Sequence, residues 1–315
     1  MELLDAGTVM SGDESLVLPK SETDKHIRLA NALLLTDFSS SSEPALHYAV
    51  ALAHQYSGTV YLVHIISPEM YEYLPPELVP QMRTEIQNYG QRRMQQLLTH
   101  PELQHVPHEA VVREGEIWDT LKKLAEEFHI DVIVVGTHGR RGLKKAFTGA
   151  VAEEILHFAR TPVLTVGPQC RAIAPDHKPK RILYATDFSA DSVRAMAYAV
   201  SLARTFGASL VPTYVAPQVT VDPSARTRFQ EFFEERLQDL LAGQISTMTH
   251  CDYRVKFGTP ADGILQAAVE ENVGLIVVGV CGAGSLVRSA HRLGRTADRV
   301  VSEARCPVLT VRGLG

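Results

Sequence analysis

No apolar run in this 315-residue chain is longer than a strand. A membrane-spanning helix needs about 20 such residues, so none is expected. Excess positive charge is missing as well. Lysine and arginine number 31 against 36 aspartates and glutamates, a formal net charge of -5. No global basic field is available to hold nucleic acid or an anionic bilayer. The four cysteines, Cys170, Cys251, Cys281 and Cys306, lie far apart and form no Cys-x-x-Cys pair. They read as reduced thiols in a cytosolic protein. The first twenty residues carry acids early, with no basic segment ahead of an apolar one, so no secretory signal is expected.

Common catalytic signatures are lacking too. There is no Gly-x-x-x-x-Gly-Lys-Ser/Thr loop and no Gly-x-Ser-x-Gly elbow, and no nucleophile–base pair stands out. His100, His105 and His108 are spaced five and then three apart, which fits no common metal set, so they read as surface histidines. Trp118 and the Phe232/Phe233 pair fall on apolar helix faces and read as core.

What the chain has is alternation of short apolar strands and helical patterns. Residues 31–35 form a strand that ends in Thr36-Asp37-Phe38-Ser39. Serines 39–42 offer helix N-caps, and Glu43 and Pro44 suit a first helical turn. Ala45, Tyr48, Ala49, Leu52 and Ala53 then recur at helical spacing, and Gly58 closes the helix. Strands follow at 60–66, 108–113, 132–135 and 163–166, with helices at 117–128 and 150–159 between the later ones. This order predicts right-handed βαβ units and a parallel sheet covered on both faces.

The pattern then starts again. Residues 168–180 are polar with prolines and read as a linker. A strand at 181–185 leads into Thr186-Asp187-Phe188-Ser189, the earlier tetrapeptide. Val277-Val278-Gly279 repeats Val134-Val135-Gly136, and residues 307–311 repeat 162–166 in full. A period of about 145–150 residues is a duplicated domain, not a solenoid. The expected layout is an arm at 1–26, a first domain at 27–167, the linker, and a second domain at 181–315.

Residues 132–166 draw the most chemistry. A buried strand enters glycine, a basic loop follows, and a helix starts after Gly149. Free N–H groups and the dipole at a helix N-terminus favour an anion, and in an open α/β sheet a ligand sits where strand order reverses. Three features together resemble the universal stress protein family: the Thr-Asp-Phe-Ser tetrapeptide, Gly136-x-x-Gly139 separated by nine residues from Gly149, and the terminal Pro-Val-Leu-Thr-Val. The resemblance covers residues 27–315 as two tandem copies. It implies two Rossmann-like α/β domains, each a five-stranded parallel sheet of order 3-2-1-4-5. It implies pairing of the two domains through their fifth strands, and leaves a homodimer open. It also implies that ATP or another adenine nucleotide, with or without magnesium, is a ligand of some members.

Carried over residue by residue, the resemblance puts Thr36, Asp37, Ile65, Gly136, Gly139, Gly149, Ala150 and Val151 at a nucleotide in the first copy. In the second it gives Thr186, Asp187, Val215, Gly279, Gly282, Gly294 and Thr296. The family has Ser or Thr directly after the last glycine, where this chain has Ala150. Losing a hydrogen bond to a charged group costs on the order of 1.5–3 kcal/mol, so binding there is weakened, not excluded. The second copy departs further, with eleven residues between Gly282 and Gly294, and Arg295 next. Other readings stand beside these. Asp37 and Asp187 suit a helix N-terminus without any ligand. Arg140, Arg141, Lys144 and Lys145 suit a solvated basic face. The expected function is a nucleotide-sensing stress-response module, with a ligand-free interaction scaffold or a slow ATP-hydrolysing enzyme as alternatives.

Overall fold

The computed structural model describes residues 27–39, 42–137, 150–170, 173, 176–218, 222–244, 250–280 and 295–312. The first copy runs β1 (Ala32–Leu35), α1 (Glu43–Tyr56), β2 (Val60–Ile66), α2 (Val79–Leu98), β3 (His108–Glu114), α3 (Ile117–Glu127), β4 (Val132–Gly136), α4 (Ala150–Phe158) and β5 (Val163–Val166). The second runs β6 (Arg181–Thr186), α5 (Ala190–Phe206), β7 (Ser209–Ala216), α6 (Pro223–Leu241), β8 (Arg254–Phe257), α7 (Pro260–Glu270), β9 (Leu275–Gly279), α8 (Arg295–Glu303) and β10 (Val308–Val311).

All ten strands share one sheet, in the order β3-β2-β1-β4-β5-β10-β9-β6-β7-β8. Each half is parallel with order 3-2-1-4-5, and the halves meet antiparallel at β5 and β10. Strand residues alternate between faces, so each strand feeds two cores. Leu34, Leu62, Val134, Leu164, Tyr184 and Leu309 pack with α1 and α5 on one face. Leu33, Val63, Ile133, Leu183 and Ile276 pack with α3, α4, α7 and α8 on the other. Each core runs through both copies. Burial on both faces explains why the central strands read as continuous apolar runs.

The two β-strands at the junction carry the same Val-Leu-Thr-Val sequence. Antiparallel pairing sets Leu164 opposite Leu309, Thr165 opposite Val308 and Val163 opposite Thr310. Thr165 Oγ1 donates to the Val308 carbonyl at 3.1 Å, and Thr310 Oγ1 donates to the Val163 carbonyl at 3.2 Å. Both threonines are buried. Neighbouring helices add to the junction. Ser201 Oγ donates to the Ile27 carbonyl at 3.0 Å, and Gln55 Nε2 to the Thr205 carbonyl at 3.3 Å.

The outer strands β3 and β8 carry His108, Glu109 and Arg113, and Arg254 and Lys256, respectively. Charged side chains on an edge discourage pairing with another chain. The apolar fifth strands lack that protection and cover each other instead.

Several local expectations need adjustment. The left-handed residue that ends α1 is Ser57 (φ 51°), not Gly58. Gly58 is required by a close approach, since a Cβ there would lie 2.0 Å from the Ala30 carbonyl oxygen. In the second copy Gly207 itself takes the left-handed position (φ 64°). Phe232 is 52% exposed and is not core. Successive residues point about 100° apart around a helix. The α6 face toward the sheet is taken by Phe233, Leu237 and Leu241, which leaves Phe232 outward. Trp118 is half-buried, packed against the second core and tilted on Phe158 at 5.7 Å. Among the described residues, no helix is long and apolar enough to cross a membrane.

Replacing both junction threonines by valine keeps shape and removes two hydroxyl donors. At about 0.5–1.5 kcal/mol per hydrogen bond, the double variant should unfold at lower urea, with about 1–3 kcal/mol lost. An unchanged midpoint would mean the hydroxyls add nothing to the seam.

The thiols flanking the seam give a second expectation. Burial pushes the Cys170 thiol up from 9.0 to about 11 and the Cys306 thiol up to about 12. A folded value above the unfolded one makes the contribution complete below pH 9 and lost as pH rises through about 11 to 12. Urea midpoints should therefore fall between pH 9 and 11, less steeply in a Cys170→Ala/Cys306→Ala variant. The same slope in that variant would assign the alkaline loss to other groups.

Candidate functional site

The candidate site lies at the carboxyl ends of β1 and β4, which are neighbours in parallel register through Leu35 and Val135. Strand order reverses between them, which is where open α/β sheets leave a crevice. The chain after β1 makes the same turn in both copies. Thr36 and Thr186 are buried, and each hydroxyl accepts the N–H of the phenylalanine two residues on, at 3.0 Å. Each also meets a serine hydroxyl six residues on: Thr36 with Ser42 at 3.1 Å, Thr186 with Ser192 at 3.0 Å. Ser42 and Ser192 in turn donate to the Ser39 and Ser189 carbonyls. The threonine hydroxyls thus serve the turn itself.

The phenylalanines bear the cost of that turn. Phe38 has φ 62° and Phe188 φ 60°, in the left-handed region that costs an L-residue roughly 1–2 kcal/mol. Contacts around the ring offset this. Phe38 packs on His64 with centroids 4.4 Å apart, beneath the Arg93 guanidinium at 5.8 Å. Arg93 Nη2 also donates to the Phe38 carbonyl at 3.0 Å. Phe188 lies 5.2 Å from Tyr214 and 6.5 Å from Phe233, with the Arg236 guanidinium 4.8 Å away. His64 Nδ1 is 2.8 Å from the Thr36 carbonyl oxygen. A carbonyl only accepts, so that nitrogen carries the proton and the tautomer is fixed.

The aspartates cap the turn. Asp37 Oδ1 accepts the Ser39 N–H at 3.0 Å, and Asp187 Oδ1 accepts both the N–H and the hydroxyl of Ser189, at 3.1 and 2.5 Å. Asp37 is half-buried and Asp187 exposed. Ile65 is half-buried in β2, and its counterpart Val215 is buried in β7. Gly136 ends β4, and α4 begins at Ala150 with Val151 half-buried behind it. Gly279 ends β9, and Thr296 is half-buried in the first turn of α8. Gly139, Gly149, Gly282 and Gly294 lie outside the described residues, as do Arg140, Arg141, Lys144, Lys145 and Cys281. The strands therefore bring Thr36, Asp37 and Gly136 together at one end of the sheet, and Thr186, Asp187 and Gly279 at its equivalent.

Gly279 has a packing reason of its own. A Cβ there would lie 2.8 Å from Asp191 C and from Ser192 N, in the first turn of α5. No motif read in the sequence marks His64, Arg93 or Ser192, and Ser42 stands only among the N-cap candidates; it occupies the N-cap of α1, but its hydroxyl serves the turn and makes no cap hydrogen bond. Ser42 and Ser192 carry a legible signal, each standing six residues after the threonine of its tetrapeptide. Arg93 and Arg236 come from helices far from the tetrapeptides in sequence, and no local spacing marks them. Among the described residues no cluster of three or more His, Cys, Asp or Glu is arranged to hold a metal.

Gly279→Ala should lower stability by roughly 1–3 kcal/mol, the usual cost of forcing atoms into a packed site. Thermal unfolding would show the drop equally with and without ATP. An unchanged midpoint would assign the missing Cβ to something other than α5.

Comparison with known proteins follows the same division of the chain. The family model for the universal stress protein family matches residues 30–167 and again 178–312. A universal stress protein of Mycolicibacterium smegmatis is 25% identical over 291 residues, covering 89% of this chain and 96% of its own length. One from Thermus aquaticus is 36% identical over 138 residues, 42% of this chain and 98% of its own. The crystal structure of a universal stress protein from Archaeoglobus fulgidus aligns with a TM-score of 0.65 over 90% of this chain and 98% of its own, at 23% identity, and so shares the fold. With two matches to one family and ten strands in two equivalent halves, the chain belongs to the universal stress protein family and carries two of its domains in tandem.

Proposed function

We propose that the first copy binds an adenine nucleotide and that its occupancy is the signal this stress protein carries. The observation that bears most weight is the meeting of β1 and β4 at the reversal of strand order, with Asp37 at the mouth and α4 starting at Ala150. The first turn of α4 offers backbone N–H donors for phosphate oxygens, and its dipole favours their charge. By the family resemblance, Gly136, Gly139 and Gly149 would let the phosphates approach closely, and Ile65 would offer its backbone to the base. Magnesium would accompany the phosphates, with Asp37 as the nearby carboxylate.

The second copy is the weaker site. Its loop is two residues longer, and Arg295 stands where the first copy has Ala150. Thr296 offers a hydroxyl one position late. Gly279 is already accounted for by α5, so its glycine adds no support for a ligand.

A ligand-free scaffold is the second reading. It is favoured by the hydroxyls of Thr36 and Thr186, which are engaged within their own turns. The slow ATP-hydrolysing reading has no corresponding observation, because no group stands out as a base for an attacking water.

Calorimetric titration of the purified chain with ATP, with and without magnesium, decides between binding and scaffold. The expected result is one nucleotide per chain. Restoring a hydroxyl with Ala150→Ser should tighten binding by roughly ten- to a hundredfold. Absence of heat and of any thermal shift at millimolar ATP, in both the natural chain and the Ala150→Ser variant, would favour the scaffold.

A further inference from the structure

We infer that Arg312, from the second copy, is a positioning residue for the site of the first. Arg312 directly follows β10. Its Nη2 crosses the seam and donates to the carbonyls of Leu156 and His157, at 3.1 and 2.6 Å. These are last-turn carbonyls of α4, which have no partner within the helix. A guanidinium there satisfies them and complements the negative end of the helix dipole. Arg312 is half-buried, and its Nε is buried without a hydrogen-bond partner.

The helix it holds is the one whose first turn faces the candidate site. It has nine residues, two and a half turns. A helix that short is marginal by itself, because nucleation is costly and few internal bonds follow. Its N-terminal donors are aimed only while the turn is wound. Arg312 at one end and an anion at the other therefore stabilise the same state, and each favours the other.

The device is one-sided. The strand ends correspond as Val166 and Val311, so the counterpart of Arg312 is Gly167. Glycine has no side chain to reach α8. A Cβ at Gly167 would meet the Ala304 carbonyl oxygen at 3.6 Å and Thr137 Oγ1 at 3.8 Å, both ordinary van der Waals contacts. The second copy therefore supports the first, with no equivalent support returned among the described residues. The first copy is also the one with the shorter glycine loop. This inference rests on the nucleotide reading for its functional half and on geometry alone for its structural half.

Hydrogen exchange by mass spectrometry on the full-length chain separates the two halves. In Arg312→Ala, amides of α4 (Ala150–Phe158) should exchange about three- to tenfold faster, while those of α8 stay unchanged. Arg312→Lys should restore most of the protection, since a cation is kept at the helix end. Where the natural chain binds ATP, Arg312→Ala should weaken it by about three- to tenfold. Unchanged exchange in α4, or equal acceleration in α4 and α8, would overturn the inference. So would unchanged ATP affinity alongside faster α4 exchange. A natural chain that binds no ATP would sink the nucleotide reading, while the exchange of α4 would still decide whether Arg312 holds the helix.

Discussion

The antiparallel pairing of β5 with β10 is the contact on which the other features of this molecule depend. A parallel sheet of order 3-2-1-4-5 ends on its fifth strand, and here that strand is Val-Leu-Thr-Val, short and apolar. Left open, it would present unpaired backbone groups and bare side chains. Joining two copies edge to edge removes both defects. It makes one sheet from two, lets each core run across the junction, and sets α1 beside α5 over the seam. It also brings Arg312 within reach of α4. Without the seam the copies would be beads on a linker, and neither could act on the other.

Much of this was legible in the sequence, for physical reasons. Strands buried on both faces leave short apolar runs, and the runs at β1, β2, β4 and β5 stood out accordingly. Identity of the Thr-Asp-Phe-Ser and Pro-Val-Leu-Thr-Val segments exposed the duplication, and with it the fold. Side-chain placement off the strands was harder. Phe232 and Phe233 are equally apolar, but neighbours on a helix cannot both face the sheet, and spacing alone did not say which would. The tetrapeptide was read as chemistry, yet its residues also build a turn: a buried threonine hydroxyl, a left-handed phenylalanine and an aspartate over the next N–H. Gly279 likewise serves α5, a contact more than eighty residues away in sequence that no local pattern records. His64 and Arg93 were invisible because they reach Phe38 from different elements.

The two copies share a frame and differ where a ligand would sit. His64 in the first corresponds to Tyr214 in the second, both beside the left-handed phenylalanine. Gly90 lets α2 lie close on His64, where the second copy has Phe233 tilted against Tyr214 with centroids 4.3 Å apart. Ala150 corresponds to Arg295, and Arg312 to Gly167. Duplication followed by divergence at these places suits a chain with one ligand site and one supporting copy. On the proposed reading, the seam links the supporting copy to that site.

That dependence can be read directly from cooperativity. Calorimetric unfolding of the intact chain should give a single transition whose van't Hoff and calorimetric enthalpies agree, as for one cooperative unit. Two resolved transitions, or a calorimetric enthalpy about twice the van't Hoff value, would show that the copies melt separately and that the seam does not join them.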